Sequence, residues 1–373
     1  MLTWSNWHAE PRSNRHHYAT RFARHLPVLF VQPDAEDDAI STESVPGHSI
    51  ELLHVPRVYD LDHARMLERA LAQRGIRHPL LWIYNPYFAD FVARSPARLR
   101  IYHATEDYVS PPESIVLAAP EVTVQVKAVL RLCDLLIAVS DGVADSYRRY
   151  TSYDGDIIVL PNGCDFDFWA TSGASDYRAP ANGRPVAFYQ GGINTRLDFR
   201  LLTNLVNYLP DWDFWFCGAL TDATHSCGDL LARPNVRYFG MLDSTHVAEL
   251  ARQARIGLMP FKQEGWIHRS LPLKAYEYVA CGLPVVTIPI EALAVHGDLF
   301  HTATDSAGFV RAMQSLAPSR DDPTAVERRL AIARAQSYDL RFQRLTEVIT
   351  AKLASPPLGR PRLNVLMLYD KHS

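Results

Sequence analysis

Short apolar runs alternate with amphipathic stretches along most of the chain, and turn residues separate them. In the first half, the apolar runs lie at 27–31, 50–55, 80–84, 99–103, 135–140 and 157–161. Beyond residue 184 the rhythm resumes, with runs at 185–190, 212–217, 236–240, 256–261 and 284–288. Strands buried on both faces are apolar throughout, and strands that alternate with helical stretches indicate βαβ units. The pattern predicts an α/β protein made of two doubly wound, Rossmann-like domains.

Helical periodicity fills the intervals between the apolar runs. The expected helices lie at 14–25, 62–74, 86–93, 121–132, 141–150, 198–208, 244–254 and 272–281. Most of them begin beside Asp, Asn, Ser or Pro, which are good N-terminal residues. The stretch 324–353 has the same spacing and predicts one long helix or two shorter ones.

A change of composition divides the chain. Residues 171–184 are rich in Ser, Gly, Ala, Asn and Pro and predict a linker. The predicted organisation has an N-terminal domain (1–170), this linker (171–184) and a C-terminal domain (185–335). Residues 336–354 are expected to form a helix that packs back on the N-terminal domain. The last residues, 355–373, resemble a new linker and first strand, either of a further domain or of this protein's own sheet.

Composition and charge exclude several classes of protein. The 373 residues carry 38 Lys+Arg and 41 Asp+Glu, a net charge of −3, which lacks the basic excess of a nucleic-acid-binding protein. A hydrophobic fraction of 47% is that of a globular chain with an ample core. The five cysteines are scattered, and no apolar run approaches the ~20 residues that cross a bilayer. We expect a cytoplasmic protein, or one bound peripherally to the inner face of the membrane.

The most informative motif runs from Ser270 to Val286. Pro272 can start a helix and Gly282 can end it, so the backbone amides of Ser270, Leu271 and Leu273 would meet an anion at the helix N-terminus. Lys274 adds a cation in the first turn. Glu277, three residues on, could accept both hydroxyls of a ribose. The alternative is a surface helix whose Lys and Glu are merely solvated.

The motif "PLKAYEYVACGLPVV" resembles the nucleotide-sugar motif of GT-B glycosyltransferases. Four further segments resemble this family in the family's order: 135–143, 159–168, 188–192 and 236–260. The resemblance implies two Rossmann-like domains around a central cleft. The N-terminal domain (1–170) would bind the acceptor, and the C-terminal domain (185–335) would bind a nucleotide-diphosphate sugar. It also implies a sugar transfer that needs no cofactor.

One departure from the family bears on stereochemistry. In the large retaining group of this fold, a second Glu usually stands eight positions before the ribose-binding one, and that position is Arg269 here. The nearest acidic candidate is Glu264. Arg269 is expected to contact phosphate or an acidic sugar, and an inverting reaction is slightly preferred over a retaining one.

A polar cluster follows the apolar run at 99–103 and contains His103, Glu106 and Asp107. Strand carboxyl ends face the ligand crevice in such sheets, and an inverting transfer needs one base to take the acceptor's proton. The arrangement resembles that of inverting glucuronosyltransferases that build bacterial polysaccharides. That resemblance puts Glu106 at the position of the base and Asp107 second. The alternative is that both carboxylates cap the following segment.

Gly191 and Gly192 follow the first strand of the predicted donor domain, where glycine lets the backbone approach a phosphate. A plain tight turn would have the same residues. Arg196 stands where related enzymes place a cation toward the leaving diphosphate, and an ordinary surface charge is the alternative. With Lys274 and the helix N-terminus it could balance that charge without a metal. The fifteen histidines show no metal-ligand spacing, so no metal site is predicted.

The first eighteen residues are dense in His, Arg and Trp. In related folds the loop after the first strand helps to form the acceptor site, which makes Trp7, Arg12 and Arg15 candidate acceptor-binding residues. The same region could form a basic amphipathic helix on anionic lipid, or a solvated helix with one apolar stripe. That helix would use Arg12, Arg15, Arg21 and Arg24 with Tyr18, Phe22 and Leu26.

The expected function is transfer of a sugar from a nucleotide-diphosphate sugar to a hydroxyl of a saccharide or lipid-linked saccharide. Bacterial polysaccharide or glycoconjugate synthesis is the expected setting, with no nucleic-acid partner. Two alternatives remain: a nucleotide-sugar epimerase of the same fold, and a non-catalytic nucleotide- or sugar-binding domain of a larger polysaccharide-synthesis protein.

Overall fold

The protein is described from a computed structural model. The described residues are 1–9, 12–36, 38–111, 120–171, 183–221, 225–263, 267 and 269–354. Most of the predicted linker, Glu264 and the tail 355–373 lie outside them.

The first domain contains seven strands and five α-helices among its described residues. The strands are β1 (Val28–Gln32), β2 (Ser41–Ser44), β3 (Ile50–His54), β4 (Leu80–Ile83), β5 (Leu99–Ala104), β6 (Leu135–Ala138) and β7 (Asp156–Val159). The helices are α1 (Asn14–Phe22), α2 (Leu61–Gln73), α3 (Ala89–Arg94), α4 (Pro120–Leu130) and α5 (Asp141–Thr151).

Residues at the start of the chain join the two parts of this domain's sheet. The strands pair in the orders β1-β3-β2 and β4-β5-β6-β7, and only β2 is antiparallel. Leu2 bridges Val31 of β1 and Ile83 of β4 in parallel register. Its N–H donates to the carbonyl of Trp82 (2.8 Å), and its carbonyl accepts from Tyr84 (2.9 Å). Residues 1–3 therefore act as the central strand, which the apolar pattern did not predict because the segment is so short.

The second domain is a six-stranded parallel sheet with helices on both faces. Its elements are α6 (Phe166–Thr171), β8 (Val186–Gln190), α7 (Phe199–Tyr208), β9 (Asp213–Cys217), α8 (His225–Leu231), β10 (Val236–Tyr238), α9 (Ser244–Gln253), β11 (Ile256–Met259), α10 (Lys274–Ala280), β12 (Val285–Thr287), β13 (Phe300–Thr302), α11 (Ser306–Leu316) and α12 (Pro323–Ala335). The strand order is β10-β9-β8-β11-β12-β13. This is the doubly wound order with a switch point between β8 and β11, where ligands bind at the carboxyl ends of the strands.

Local sequence explains where several helices begin. Side-chain oxygens at the N-caps accept backbone N–H groups that the first turn leaves without intrahelical partners. The capping residues are Asp60 for α2, Ser140 for α5, Asp198 for α7, Asp243 for α9, Asp305 for α11 and Asp322 for α12. Most of the strands between these helices are buried, as the apolar runs predicted; β2, β7, β10 and β13 are more exposed.

The chain crosses between the domains twice, and the two crossings lie side by side. The N–H of Cys164 donates to the carbonyl of Gln336 (3.1 Å), and the N–H of Tyr338 donates to the carbonyl of Cys164 (2.9 Å). A Cβ on Gly163 would lie 2.8 Å from the Gln336 carbonyl oxygen and 3.0 Å from the Tyr338 nitrogen. Glycine is therefore needed for the crossings to approach this closely.

The first crossing precedes the predicted linker. Phe166 and Trp169 of α6 are buried in the core of the second domain, so that domain begins before residue 170. The second crossing follows α12, and the last described helix, α13 (Tyr338–Ala354), returns to the first domain. There Tyr338 and Phe342 join the core cluster that contains Tyr18 and Phe22 of α1. The stretch 324–353 thus forms two helices, which separate at Gln336 and Ser337.

Candidate active site

The carboxyl ends of the two sheets approach each other around a small number of charged side chains. Glu106 follows β5 in the first domain and Arg196 follows β8 in the second, and their charged atoms are 3.9 Å apart. Asp107 and Arg269 form a second cross-domain ion pair with an N–O distance of 3.0 Å. Four of the residues singled out from the sequence therefore lie at one cleft.

Lys274 lies at the start of α10 with its ammonium directed at the glycine turn after β8. Its Nζ donates to the hydroxyl of Tyr189 (3.1 Å) and lies 4.2 Å from the centre of that ring. A Cβ on Gly191 would lie 2.7 Å from the same nitrogen. Burial lowers the pKa of Lys274 to about 7, although Glu277 acts to raise it. Lys274 is therefore a desolvated cation beside a glycine turn, not a solvated surface lysine.

Glu277 lies one turn further along α10 and is buried. Its carboxylate accepts a hydrogen bond from the side-chain amide of Gln190 at the end of β8. Burial raises the pKa of Glu277 to about 7, while Lys274 and Gln190 act to lower it. A buried carboxylate with one side-chain donor retains acceptor capacity for a hydroxyl pair of a ligand. Gln190 was missed in the sequence, where it reads as the last residue of an apolar strand.

Two glycines allow the ends of β8 and β9 to approach each other. Gly191 and Gly218 have φ of 123° and 133°, a region that side-chain-bearing residues rarely adopt. A Cβ on Gly218 would lie 2.2 Å from the carbonyl oxygen of Gly191. The backbone is thus bare of side chains beside Lys274, as a phosphate cradle requires. The sequence pointed to Gly191 and Gly192, and Gly218 was missed.

The helix begins two residues later than predicted. Leu273 is the N-cap of α10 and Lys274 its first residue. The N–H of Ser270 donates to the carbonyl of Ile267 (3.3 Å), so this amide is not free for an anion. Among the described residues, no hydrogen-bond acceptor is found for the amides of Leu271 and Leu273. The groups that remain available to bind an anion here are therefore the backbone amides of Leu271 and Leu273 and the side chain of Lys274.

Glu106 is the carboxylate that faces the cleft from the first domain. Its side chain is 31% exposed, and its backbone carbonyl accepts from the hydroxyl of Tyr147 (3.3 Å). Burial raises the pKa of Glu106 above that of an ordinary glutamate, and Arg196 and Arg15 offset part of the effect. A carboxylate with a raised pKa in a cleft is suited to accept a proton near neutral pH.

Asp107 is buried where the two domains meet and has another set of partners. It accepts from the N–H groups of Val109 (3.2 Å) and Ser110 (3.0 Å), and from the hydroxyl of Ser110 (2.6 Å). Burial acts to raise its pKa, but hydrogen bonds from Ser110 and Ser146 hold the pKa below its usual value. Asp107 therefore caps its own turn and pairs with Arg269, and it is poorly placed to act as a base.

His103 lies in the aromatic core of the first domain and is only 2% exposed. Its Nδ1 is 3.2 Å from the hydroxyl of Tyr84, and its ring contacts Tyr18 and Trp82. Burial lowers the pKa of His103 to about 3, so the ring is neutral at physiological pH. Burial among aromatic rings does not favour a catalytic His103, and that role stays a prediction.

The predicted acceptor residues have separate environments. Trp7 packs against His16 and Phe30, with ring centres 4.8 and 5.0 Å away. Arg15 donates to the hydroxyl of Ser5 (2.7 Å) and lies over the ring of Tyr84, on the cleft side of the sheet. Arg12 is exposed before α1. Of these three residues, only Arg15 is close enough to Glu106 to lower its pKa.

A row of half-buried aromatic rings was missed. Tyr59, Tyr87, Trp4 and Tyr108 follow the carboxyl ends of β3, β4, the segment 1–3 and β5, respectively. Successive ring centres along this row are 5.2, 5.7 and 6.3 Å apart. We call these four residues the aromatic row; it ends two residues from Glu106. No sequence motif signals it, because its members come from four separate loops.

The helix proposed for lipid contact is covered on its apolar side. Phe22 of α1 packs edge-on against Phe342 of α13, with ring centres 4.9 Å apart. Arg21 is buried and donates two hydrogen bonds to the carboxylate of Asp339 (3.1 and 2.7 Å). Membrane attachment through this face of α1 therefore has no support in the fold.

No three His, Cys, Asp or Glu side chains in the described ranges are grouped as metal ligands. No helix in the described part of the chain is long and apolar enough to span a bilayer.

Several residues of this cleft lie in a segment that resembles known proteins. Residues 196–318 match the family model described as glycosyl transferases group 1, a span that includes Arg196, Arg269, Lys274 and Glu277. TuaH of Bacillus subtilis (strain 168), assigned as a teichuronic acid biosynthesis glycosyltransferase, is 28% identical over 213 residues. That alignment covers 53% of this chain and 52% of TuaH, so the match spans about half the length of the curated relative.

Solved structures share the fold over nearly the whole chain. Sucrose-phosphate synthase from Thermosynechococcus elongatus superposes with a TM-score of 0.70 at 15% identity, covering 92% of this chain and 93% of that one. HepE from Anabaena, in complex with UDP and glucose, has a TM-score of 0.63 at 13% identity and covers 90% and 94%. The chain therefore has the GT-B fold, and its residues 196–318 are similar to glycosyl transferases group 1.

Proposed function

We propose that this protein is a glycosyltransferase that moves a sugar from a nucleotide-diphosphate sugar to a hydroxyl of a saccharide or lipid-linked acceptor. The setting proposed is bacterial polysaccharide or glycoconjugate synthesis, in line with the assignment of TuaH to teichuronic acid biosynthesis. The observation that carries the proposal is that Lys274 and Glu277 are buried on one helix beside the Gly191 turn. Arg196, whose charge acts on Lys274, pairs with Glu106 across the cleft.

In this proposal the second domain binds the donor. Glu277 accepts hydrogen bonds from the ribose hydroxyls, and Lys274 with the amides of Leu271 and Leu273 contacts the diphosphate. Arg196 adds a second cation at the mouth of the site. These groups stabilise the negative charge that develops on the departing nucleotide, which is where electrostatic catalysis acts most strongly. UDP is the first nucleotide to test, because it is the ligand named for HepE.

The first domain binds the acceptor and supplies the base. Glu106 takes the proton of the acceptor hydroxyl. The acceptor oxygen then bonds to the sugar carbon as the bond to the nucleotide diphosphate breaks on the opposite face, which inverts that carbon. Arg269 replaces the carboxylate typical of retaining relatives and is occupied by Asp107, which favours this inverting route. Closure of the cleft would exclude the water that otherwise hydrolyses the donor.

Thermal unfolding with added nucleotide tests the donor site. A ligand at 100 times its Kd stabilises the native state by about 2.7 kcal/mol. We expect UDP to raise the melting temperature of the wild type and to have no such effect on Lys274→Ala or Glu277→Ala. Lys127→Ala in α4 and Glu347→Ala in α13 are matched controls that should respond as the wild type does. Equal responses from all five proteins would refute this placement of the donor.

A further inference from the structure

Arg269 joins the two domains through one nitrogen of its guanidinium group. That nitrogen donates to the carboxylate of Asp107 (3.0 Å), the hydroxyl of Ser110 (2.8 Å) and the hydroxyl of Ser146 (3.0 Å). All three acceptors belong to the first domain, whereas Arg269 belongs to the second. The Asp107 side chain is 1% exposed. A carboxylate this deeply buried depends on its cation, since the loss of one partner leaves an uncompensated charge.

The backbone next to Arg269 is also held from the first domain. The hydroxyl of Ser140 donates to the carbonyl of Arg269, and the side-chain amide of Asn162 donates to the carbonyl of Leu271 (2.9 Å). A Cβ on Gly142 would lie 3.0 Å from the Arg269 side chain, so the first turn of α5 lies directly against it. Residues 269–271 are thus positioned by the domain that they do not belong to.

The same segment carries the amides of Leu271 and Leu273 and leads into Lys274. Its position therefore depends on whether the cleft is closed. Separation of the domains would break the contacts of Ser140 and Asn162 with this segment and the ion pair between Asp107 and Arg269. Closure of the domains would restore these contacts and return the segment to the position seen here.

We infer that Arg269 is a positioning residue that couples closure of the cleft to assembly of the donor site, and that it does not itself bind the donor. The inference rests on the proposed function for the identity of the ligand. We call the group Asp107, Ser110, Ser146 and Arg269 the clasp. Coupling of this kind is reciprocal, so nucleotide binding should favour closure as strongly as closure favours binding.

The first arm of the test uses no nucleotide. Small-angle X-ray scattering and hydrogen exchange compare the wild type with Arg269→Met and Asp107→Asn. Both variants should show a larger radius of gyration and faster exchange at residues 269–273. Arg233→Met and Asp145→Asn, which alter exposed residues outside the clasp, are the matched controls. Unchanged scattering and exchange in both clasp variants would overturn the inference.

The second arm measures UDP affinity by calorimetry in a double-mutant cycle. Arg269→Met and Asp107→Asn should each weaken UDP binding about tenfold, and the double variant should also be about tenfold weaker, because both changes break one interaction. Arg269→Lys, which keeps the charge, should recover part of the loss. Two results would mean that Arg269 binds the nucleotide directly. One is that the fold-losses of UDP affinity multiply in the double variant; the other is that Arg269→Met weakens UDP binding and Asp107→Asn does not.

The two arms separate the clasp from the proposed function. If wild-type protein fails to bind UDP while the variants open the cleft, UDP is rejected as the donor nucleotide and the role of the clasp in closure stands. If UDP binds and the variants behave as wild type in both arms, the clasp fails and the donor assignment stands. Thermal unfolding without ligand verifies that each variant is folded before either measurement.

Discussion

Burial moves the pKa values of Lys274 and Glu277 toward each other, to about 7 in both cases. Each group pays a desolvation cost in the free protein that a bound ligand can offset. An anion beside Lys274 favours its charged form, and hydroxyl donors favour the charged form of Glu277. The two residues are therefore poised for a ligand with a diphosphate and a ribose.

The pKa of Lys274 predicts proton uptake on nucleotide binding. Since burial lowers this pKa from 10.5 to about 7, the amine of the free protein is largely neutral at pH 8. A bound diphosphate raises the pKa, so binding at pH 8 should take up a proton, and affinity should fall as pH rises from 7 to 9. Calorimetry of UDP binding in two buffers of different ionisation enthalpy measures the uptake.

Lys274→Arg separates charge from titration, because arginine stays protonated at these pH values. This variant should keep measurable UDP binding and lose the proton uptake. Uptake of the same size in the wild type and in Lys274→Arg would contradict the assignment of the titrating group.

Glu106 gives a prediction about rate. Loss of a general base typically costs 10²–10⁴-fold, so Glu106→Gln should lower kcat by about that factor and leave UDP affinity unchanged. Because the base works in its ionised form and burial raises its pKa, the wild-type rate should rise with pH through a value above 4.5. Glu121→Gln, at an exposed position of α4, is the control. A variant that transfers sugar at the wild-type rate would exclude Glu106 as the base.

At the scale of the elements, the two crossings depend on Gly163. A side chain there would overlap the backbone of residues 336–338, and such overpacking typically costs 1–3 kcal/mol. We expect Gly163→Ala to lower the free energy of unfolding by about that amount, measured by urea denaturation. Gly228→Ala in α8 has open space around its Cβ and should be neutral or slightly stabilising. Equal stability of the two variants would show that the crossings separate without cost.

The aromatic row gives a prediction about the acceptor. Aromatic side chains offer a large apolar face with a polar edge, which suits the alternating faces and hydroxyls of a saccharide. Trp4→Ala and Tyr87→Ala should therefore raise the acceptor KM about tenfold or more while UDP affinity stays the same. Tyr208→Ala changes an exposed aromatic residue of α7 and serves as control. An unchanged acceptor KM in both variants would place the acceptor elsewhere.

At the scale of the whole molecule, the last described helix, α13, packs against the first domain and stabilises it. Phe342 of α13 is 8% exposed and contacts Phe22 of α1. Truncation of a buried Phe to Ala costs about 3–5 kcal/mol, so Phe342→Ala should destabilise the first domain. Hydrogen exchange should rise in α1 and the strands beneath it. Leu340→Ala lies on the same helix at 49% exposure and should leave that exchange unchanged. Identical exchange in both variants would mean that α13 does not stabilise the first domain.

Local patterns were informative about elements and far less so about the site. Apolar runs predicted most strands to within a few residues, since a buried parallel strand excludes polar side chains from both faces. The pattern missed residues 1–3, which are too short to show a period, and β2, whose four residues are exposed. It also assigned residues 166–170 to the first domain, because no local pattern indicates which core a short segment joins.

Motif spacing located Lys274 and Glu277, because both lie on one helix and their separation along the chain fixes their separation in space. Spacing by itself did not separate Glu106 from Asp107, and only the family resemblance ranked Glu106 first. The Glu106 side chain points toward Arg196 in the cleft, whereas the Asp107 side chain accepts hydrogen bonds from the turn that follows it. Motif spacing also retained His103, whose position at a strand end is compatible with both a cleft and a core.

The amino-acid sequence by itself determined the α/β class, the two-domain rhythm and the helix that carries Lys274 and Glu277, because these follow from local periodicity and spacing. Tertiary structure alone decided that Arg269 meets Asp107, that Gly163 lies against residues 336–338 and that four aromatic rings form a row. Each of these contacts joins residues far apart along the chain. Their proximity depends on how two domains close, and no local pattern encodes that closure.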